Sequence, residues 1–222
     1  MDTTEAYAQT RRTMTEIVRS LDPADGRRPV PACPRWTVQE LFSHAVGVSA
    51  DILAGDVGGA GSDAWTQAQV EARRGRSLAE LADEWDETGP EVEAKLVGLL
   101  PAQAVFDQVT HEHDLRGAVD RPGGQDSAAL AIGFGFVEQH WPATMAARGL
   151  APVRLVAGDV ELVVGDGGST TVRLSRFEAL RALTGRRSLD QVRAYDWGAD
   201  PEPWLSAFTW GPFTPTPVAL AH

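Results

Sequence analysis

The chain has 222 residues, 43% of them hydrophobic, and a formal net charge of −11. That length can bury one large core or two small ones, and the acidity excludes the basic footprint a nucleic-acid binder needs and disfavours anionic membrane surfaces. The single cysteine, Cys33, excludes an internal disulfide and a Cys-rich zinc site.

Thr4 to Leu21 is expected to form an amphipathic helix, with Tyr7, Met14, Ile17, Val18 and Leu21 on one face. A Pro- and Gly-containing connection then runs to Pro34. Thr37 followed by Glu40 is a capping box, and Trp36 and Leu41 stand where a hydrophobic staple would. This predicts a helix from Val38 to about Ala54, ended by the glycine-rich run 55–61. Ser77 and Glu80 repeat the box ahead of Leu78, Leu81 and Trp85, with Pro90 expected to break or kink that helix. Further helices are expected over Ala104 to Val119 and, capped by Asp126 or Ser127, through about Arg148. From Ala151 the texture changes. Val153 to Val164 predicts a hairpin about Gly158-Asp159, Gly165 to Gly168 a turn, and Thr170 to Leu174 another strand. Phe177 to Leu183 and Leu189 to Tyr195 read as helical, and the Pro- and Trp-rich tail from Asp200 is left unassigned. The expected fold class is therefore α+β in two domains: a helical bundle over 1–149 and a small α+β domain over 150–222. No apolar run is long enough to span a bilayer. The start, Met1-Asp2-Thr3-Thr4-Glu5, lacks a signal-peptide pattern. A cytoplasmic location is expected.

One constellation could carry chemistry. His44 shares a helix face with Leu41 and Val48, so it should point inward. Asp107 and His111 are four apart on a later helix and share a face. An imidazole from one helix with a carboxylate and an imidazole from another is how bundles build metal sites in their cores. Two histidines and one carboxylate leave positions open for water or substrate on a divalent ion such as Zn²⁺. The competing reading makes His44 a core histidine satisfied by a hydrogen bond, and His111-Glu112-His113-Asp114 a solvated charged segment with a pair such as Asp114 to Arg116. Cys33, between Ala32 and Pro34, reads as an inert thiol. Trp85 and Trp141 read as bundle core, and Trp197, Trp204 and Trp210 as packing for the small domain. Arg73-Arg74-Gly75-Arg76 reads as solvated surface.

The run Pro34-Arg35-Trp36-Thr37-Val38-Gln39-Glu40-Leu41-Phe42-Ser43-His44 resembles the second-helix motif of the mycothiol-dependent maleylpyruvate isomerase family, within the DinB-like superfamily of metal-binding helical bundles. Phe106 to Ala118 resembles its second metal motif, and Leu183-Thr184-Gly185-Arg186-Arg187-Ser188 a motif of the domain that follows the bundle. The resemblance implies a DinB-like four-helix bundle with metal ligands His44, Asp107 and His111. Asp107 replaces the family's Glu and is one methylene shorter. The helix must then approach the ion more closely or bind it through water, and His113 or Asp114 could complete the shell. The departure bears on the isomerase reaction more than on metal binding. The resemblance also implies mycothiol, a low-molecular-weight thiol, as co-substrate, and an arginine that clamps a substrate carboxylate. Arg186, with Arg187 behind it, stands at that place; an arginine after a helix-ending glycine can equally serve as a C-terminal cap.

The function expected from this is a metal-dependent, mycothiol-using transferase or isomerase acting on a small electrophile. The alternatives are a non-catalytic metal- or thiol-binding module and a thiol-independent metal hydrolase. Substrate and oligomeric state are left open.

Overall fold

The computed structural model describes residues 1–95, 97, 101–166 and 168–221, so Gly167 of the expected glycine turn lies outside the described residues. Helix α1 (Thr3–Arg19) begins at an Asp2/Glu5 capping box and buries Tyr7, Met14, Ile17 and Val18. A two-stranded antiparallel ribbon follows, β1 (Pro29–Val30) with β2 (Cys33–Thr37), where the sequence suggested only a connection. Helix α2 (Val38–Ala54) starts at the Thr37/Glu40 capping box and ends at Gly55, whose φ of 76° reverses the chain. Helix α3 (Asp63–Ala72), capped by Ser62, was not anticipated. Helix α4 (Leu78–Lys95) runs on through Pro90 instead of stopping there. Helices α5 (Ala102–Ala118) and α6 (Ala128–Ala147, capped by Ser127) complete the helical part.

Helix α1 packs on α4 and α5, and α2 packs on the same two, while α6 lies against α1 and α5. Phe42, Trp85 and Leu115 fill one cluster between these helices. Trp85 is fully buried, and its indole N–H donates to Ser49 Oγ at 2.7 Å, so its one polar atom is satisfied.

The C-terminal part is built on a three-stranded sheet of order β4-β3-β5. Strands β3 (Val153–Ala157) and β4 (Val160–Val164) form the expected hairpin, turning at Gly158 with φ 66°. Strand β5 (Thr171–Leu174) lies parallel to β3 on its other side. No crossover helix is needed, because β4 has already returned the chain to the start of β3. Helices α7 (Arg176–Leu183) and α8 (Leu189–Arg193) follow, then a 3₁₀ segment, Glu202–Phe208. A second apolar cluster is continuous from α5 and α6 into the sheet, α7 and the tail, through Phe134, Trp141, Leu155, Phe177 and Trp210. Trp141 on α6 donates to the Ala207 carbonyl at 3.0 Å, tying the two parts by a hydrogen bond as well as by area. Among the described residues, no helix is long and apolar enough to cross a membrane.

Candidate metal centre

Three side chains converge at the floor of a cleft of about 860 Å³ that lies between α2, α5 and the C-terminal tail. His44 comes from the middle of α2, on the face carried inward by the fully buried Leu41 and the nearly buried Val48. Asp107 and His111 come from successive turns of α5. The ligand atoms of all three lie within 4.8 Å of one another. His44 Nε2 stands 3.5 Å from Asp107 Oδ1, and His111 Nε2 stands 3.7 Å from the same oxygen. The imidazoles themselves are 4.9 Å apart and nearly perpendicular. The shorter Asp107 side chain therefore reaches both histidines directly.

The other nitrogen of each imidazole is held. His44 Nδ1 meets Gln69 Oε1 at 2.6 Å, and the Gln69 amide donates in turn to Asp51 at 2.6 Å. His111 Nδ1 meets Asp114 Oδ2 at 3.1 Å. Each Nδ1 thus faces an oxygen and acts as donor, so in the neutral ring each Nε2 keeps a lone pair aimed toward a carboxylate. With neutral rings, three acceptors face one another across gaps too wide for good hydrogen bonds. Two ligands of one tetrahedral zinc ion, each ~2.1 Å from it, stand ~3.4 Å apart. Asp107 Oδ2 is buried and has no hydrogen-bond partner among the described residues. Orphaned carboxylate oxygen, converging imidazole lone pairs and matched spacing all fit a divalent cation. Burial lowers the pKa of His44, but the Asp107 carboxylate together with Gln69 and Asp51 raises it above the ordinary value; burial raises that of Asp107, but His44 with His111 and Arg186 holds it below the usual carboxylate range.

Sequence reasoning missed Gln69, Trp65 and the role of Trp36. Gln69 sits on α3, and α3 approaches α2 only because residue 47 is glycine: a Cβ there would lie 2.5 Å from Gln69 Cβ. The signal in the sequence was Ser62-Asp63, a helix start directly after the glycine-rich run. Trp36 is more than a staple, for its ring lies 5.3 Å from His44 and 5.8 Å from His111, partly covering both. Trp65 meets the His44 ring edge-on at 6.3 Å.

The acidic segment of α5 is not solvated surface. His111, Glu112, His113 and Asp114 are all buried: His111 lies under Trp36 and beside His44, Glu112 beside Gly124, His113 against Phe177, and Asp114 under Arg181 and Arg186. Asp114 does not pair with Arg116, which goes to Glu112 at 2.8 Å. It takes Arg181 at 2.5 Å and Arg186 at 2.6 Å, and these two guanidiniums hold it well below the usual carboxylate range although burial acts to raise it. His113 turns away from the cleft to pack on Phe177 at 4.8 Å.

Arg186 does line the cleft with the three candidate ligands. Gly185, at φ 77°, turns the chain back so that the guanidinium reaches Asp114. The residue is 7% exposed, and its donors are committed to both Asp114 oxygens, to the Thr184 carbonyl at 2.6 Å and to Cys33 Sγ at 3.5 Å. Arg187 points elsewhere: its guanidinium grips Glu178 at 2.7 and 2.8 Å. Cys33 is not remote from a histidine, as its neighbours in sequence implied; it shares a cluster with His111 and Asp114. Burial and the Asp114 charge push its thiol up to about 12. In the basic patch, Arg73 and Arg76 pair with Glu84 and Arg74 with Glu71.

No curated protein matches the chain. Two solved structures share its fold: the mycothiol-dependent maleylpyruvate isomerase, at TM-score 0.56, and a histidine-to-alanine mutant of it, at 0.55. Each is 11% identical to this chain, and each alignment covers 83% of this chain and 88% of the other. Residues 7–111, which include His44, Asp107 and His111, match the family model described as the mycothiol maleylpyruvate isomerase N-terminal domain. Over those residues the chain is similar to the mycothiol maleylpyruvate isomerase N-terminal domain family.

Proposed function

We propose that the protein is a metal-dependent isomerase or transferase that uses mycothiol to act on a small electrophile, with zinc as the metal. The observation that carries this reading is the convergence of two Nδ1-pinned imidazoles on Asp107, whose second oxygen has no partner among the described residues. In this reading residues 1–149 are the metal-binding unit, with α1, α2, α4 and α5 as its DinB-like four-helix core, and residues 150–222 close the cleft.

His44 and His111 would hold the ion through Nε2 and Asp107 through its carboxylate. Bound there, the ion would lower the pKa of a coordinated thiol and keep it as the nucleophilic thiolate near neutral pH. Gln69 and Asp114 fix the two ring orientations, so the ligands need no rearrangement to bind. Trp36 covers both imidazoles and limits the approach of water from its side. Arg186 is committed to Asp114 and Thr184. Arg35 lies on the same cleft, with a side chain 83% exposed and 3.7 Å from Asp63. It is placed to meet an anionic substrate without first breaking a buried pair.

The test is metal analysis of the purified protein, then turnover of maleylpyruvate with mycothiol. Stoichiometric divalent metal, lost together with turnover in His44→Ala, is expected. A protein that neither contains nor takes up a divalent ion would overturn the reading. The commitment of Arg186 favours one second reading, a metal- and thiol-binding module without turnover. Mycothiol binding with no product from any electrophile would select it.

A further inference from the structure

We propose that Asp114 is the positioning residue of this centre, through which two arginines of the C-terminal part govern metal affinity without supplying a ligand. The inference rests on the metal reading above.

Asp114 lies three residues after His111 on α5, and its side chain is wholly buried. Its Oδ2 accepts from His111 Nδ1 at 3.1 Å and from Arg186 Nη2 at 2.6 Å. Its Oδ1 accepts from Arg181 Nη1 at 2.5 Å and from Arg186 Nε at 3.3 Å. Both oxygens are therefore used, and the carboxylate is clamped from two directions by groups 67 and 72 residues away in sequence. A clamped carboxylate at a histidine's Nδ1 selects the tautomer, stops ring rotation and strengthens the Nε2 donor. His44 has the same device in a weaker form, a neutral amide backed by Asp51. Only the Asp114 device draws on α7 and the turn after it. Arg186 consequently acts through Asp114, and its position at the cleft follows from that anchoring.

The test measures Co²⁺ affinity by chelator competition, and the visible spectrum of the Co²⁺ form, in the full chain. Asp114→Asn is expected to weaken binding about 10- to 100-fold and to alter the spectrum. Arg186→Gln leaves Arg181 in place and is expected to weaken binding by about 10-fold; it carries the test if Asp114→Asn does not fold. Glu202→Gln is the control. It releases Arg193 within the same C-terminal part without touching Asp114, Arg181 or Arg186, and should stay within about twofold of wild type with an unchanged spectrum. Wild-type affinity in both Asp114→Asn and Arg186→Gln, or an equal loss in Glu202→Gln, would overturn the role of Asp114 while leaving the metal reading intact. Absence of Co²⁺ binding by the wild type would overturn both.

Discussion

Gly47→Ala tests how α3 serves the metal centre. The new Cβ would stand 2.5 Å from Gln69 Cβ and 2.7 Å from Gln69 Cγ, whereas ordinary contact begins at 3.4 Å. Helix α3 must retreat by about 0.9 Å, the difference between 3.4 and 2.5 Å. The same retreat takes the 2.6 Å contact between Gln69 Oε1 and His44 Nδ1 to about 3.5 Å, outside hydrogen-bond range. Two terms act on stability. Alanine in place of glycine inside a helix favours folding by about 1 kcal/mol, and overpacking opposes it by about 1–3 kcal/mol. The net expectation is a loss of about 0–2 kcal/mol, with metal affinity down about 10- to 100-fold because an outer-shell partner is lost. Gly135→Ala is the matched control. Residue 135 is also helical, but a Cβ there meets nothing within 4 Å, so a gain of about 0.5–1 kcal/mol and unchanged affinity are expected. Urea unfolding reads the first quantity and chelator competition the second. If Gly47→Ala matches Gly135→Ala in both, the close approach of α3 does not hold His44, and the reasoning fails.

Alkaline stability should depend on Tyr7. Burial pushes its hydroxyl up to about 12 in the folded chain, against the lowering effect of Ser49 and Trp85, from an ordinary value of 10. The folded state then binds the proton more tightly than the unfolded state. The stabilisation is complete below pH 10 and is lost between pH 10 and 12, at about 1.4 kcal/mol per pH unit. Tyr7→Phe should flatten that slope in urea midpoints taken across the window, and an unchanged slope would refute the assignment. Thr37→Ala removes the hydroxyl that caps α2 through Glu40 N. It should lower stability by about 1 kcal/mol by urea unfolding and leave metal affinity within about twofold, since the cap lies two turns from His44.

What could be read from the residues in order was local. The Thr37/Glu40 box announced α2 within a residue at each end, because a cap is a hydrogen-bonding pattern completed inside four residues. The four-residue spacing of Asp107 and His111 put both on one face of α5 by helix geometry alone. The Val153 to Val164 hairpin followed from two β-branched runs about a Gly-Asp turn. Helix α3 escaped notice because it is short and buries only Gln69 and Val70, so it carries almost no apolar stripe, and its position depends on the missing Cβ of Gly47 on another helix. Asp114 was misread for a related reason. The charge pattern of α5 is that of an exposed helix, and only Arg181 and Arg186, arriving from far along the chain, make the Asp114 charge a buried and paired one. Short-range hydrogen bonds and helical periodicity thus determined the elements and aimed three side chains inward. Which groups pin those side chains was decided by tertiary contact, because burial changes what a charged side chain must find as a partner and linear order does not show which partner will be there.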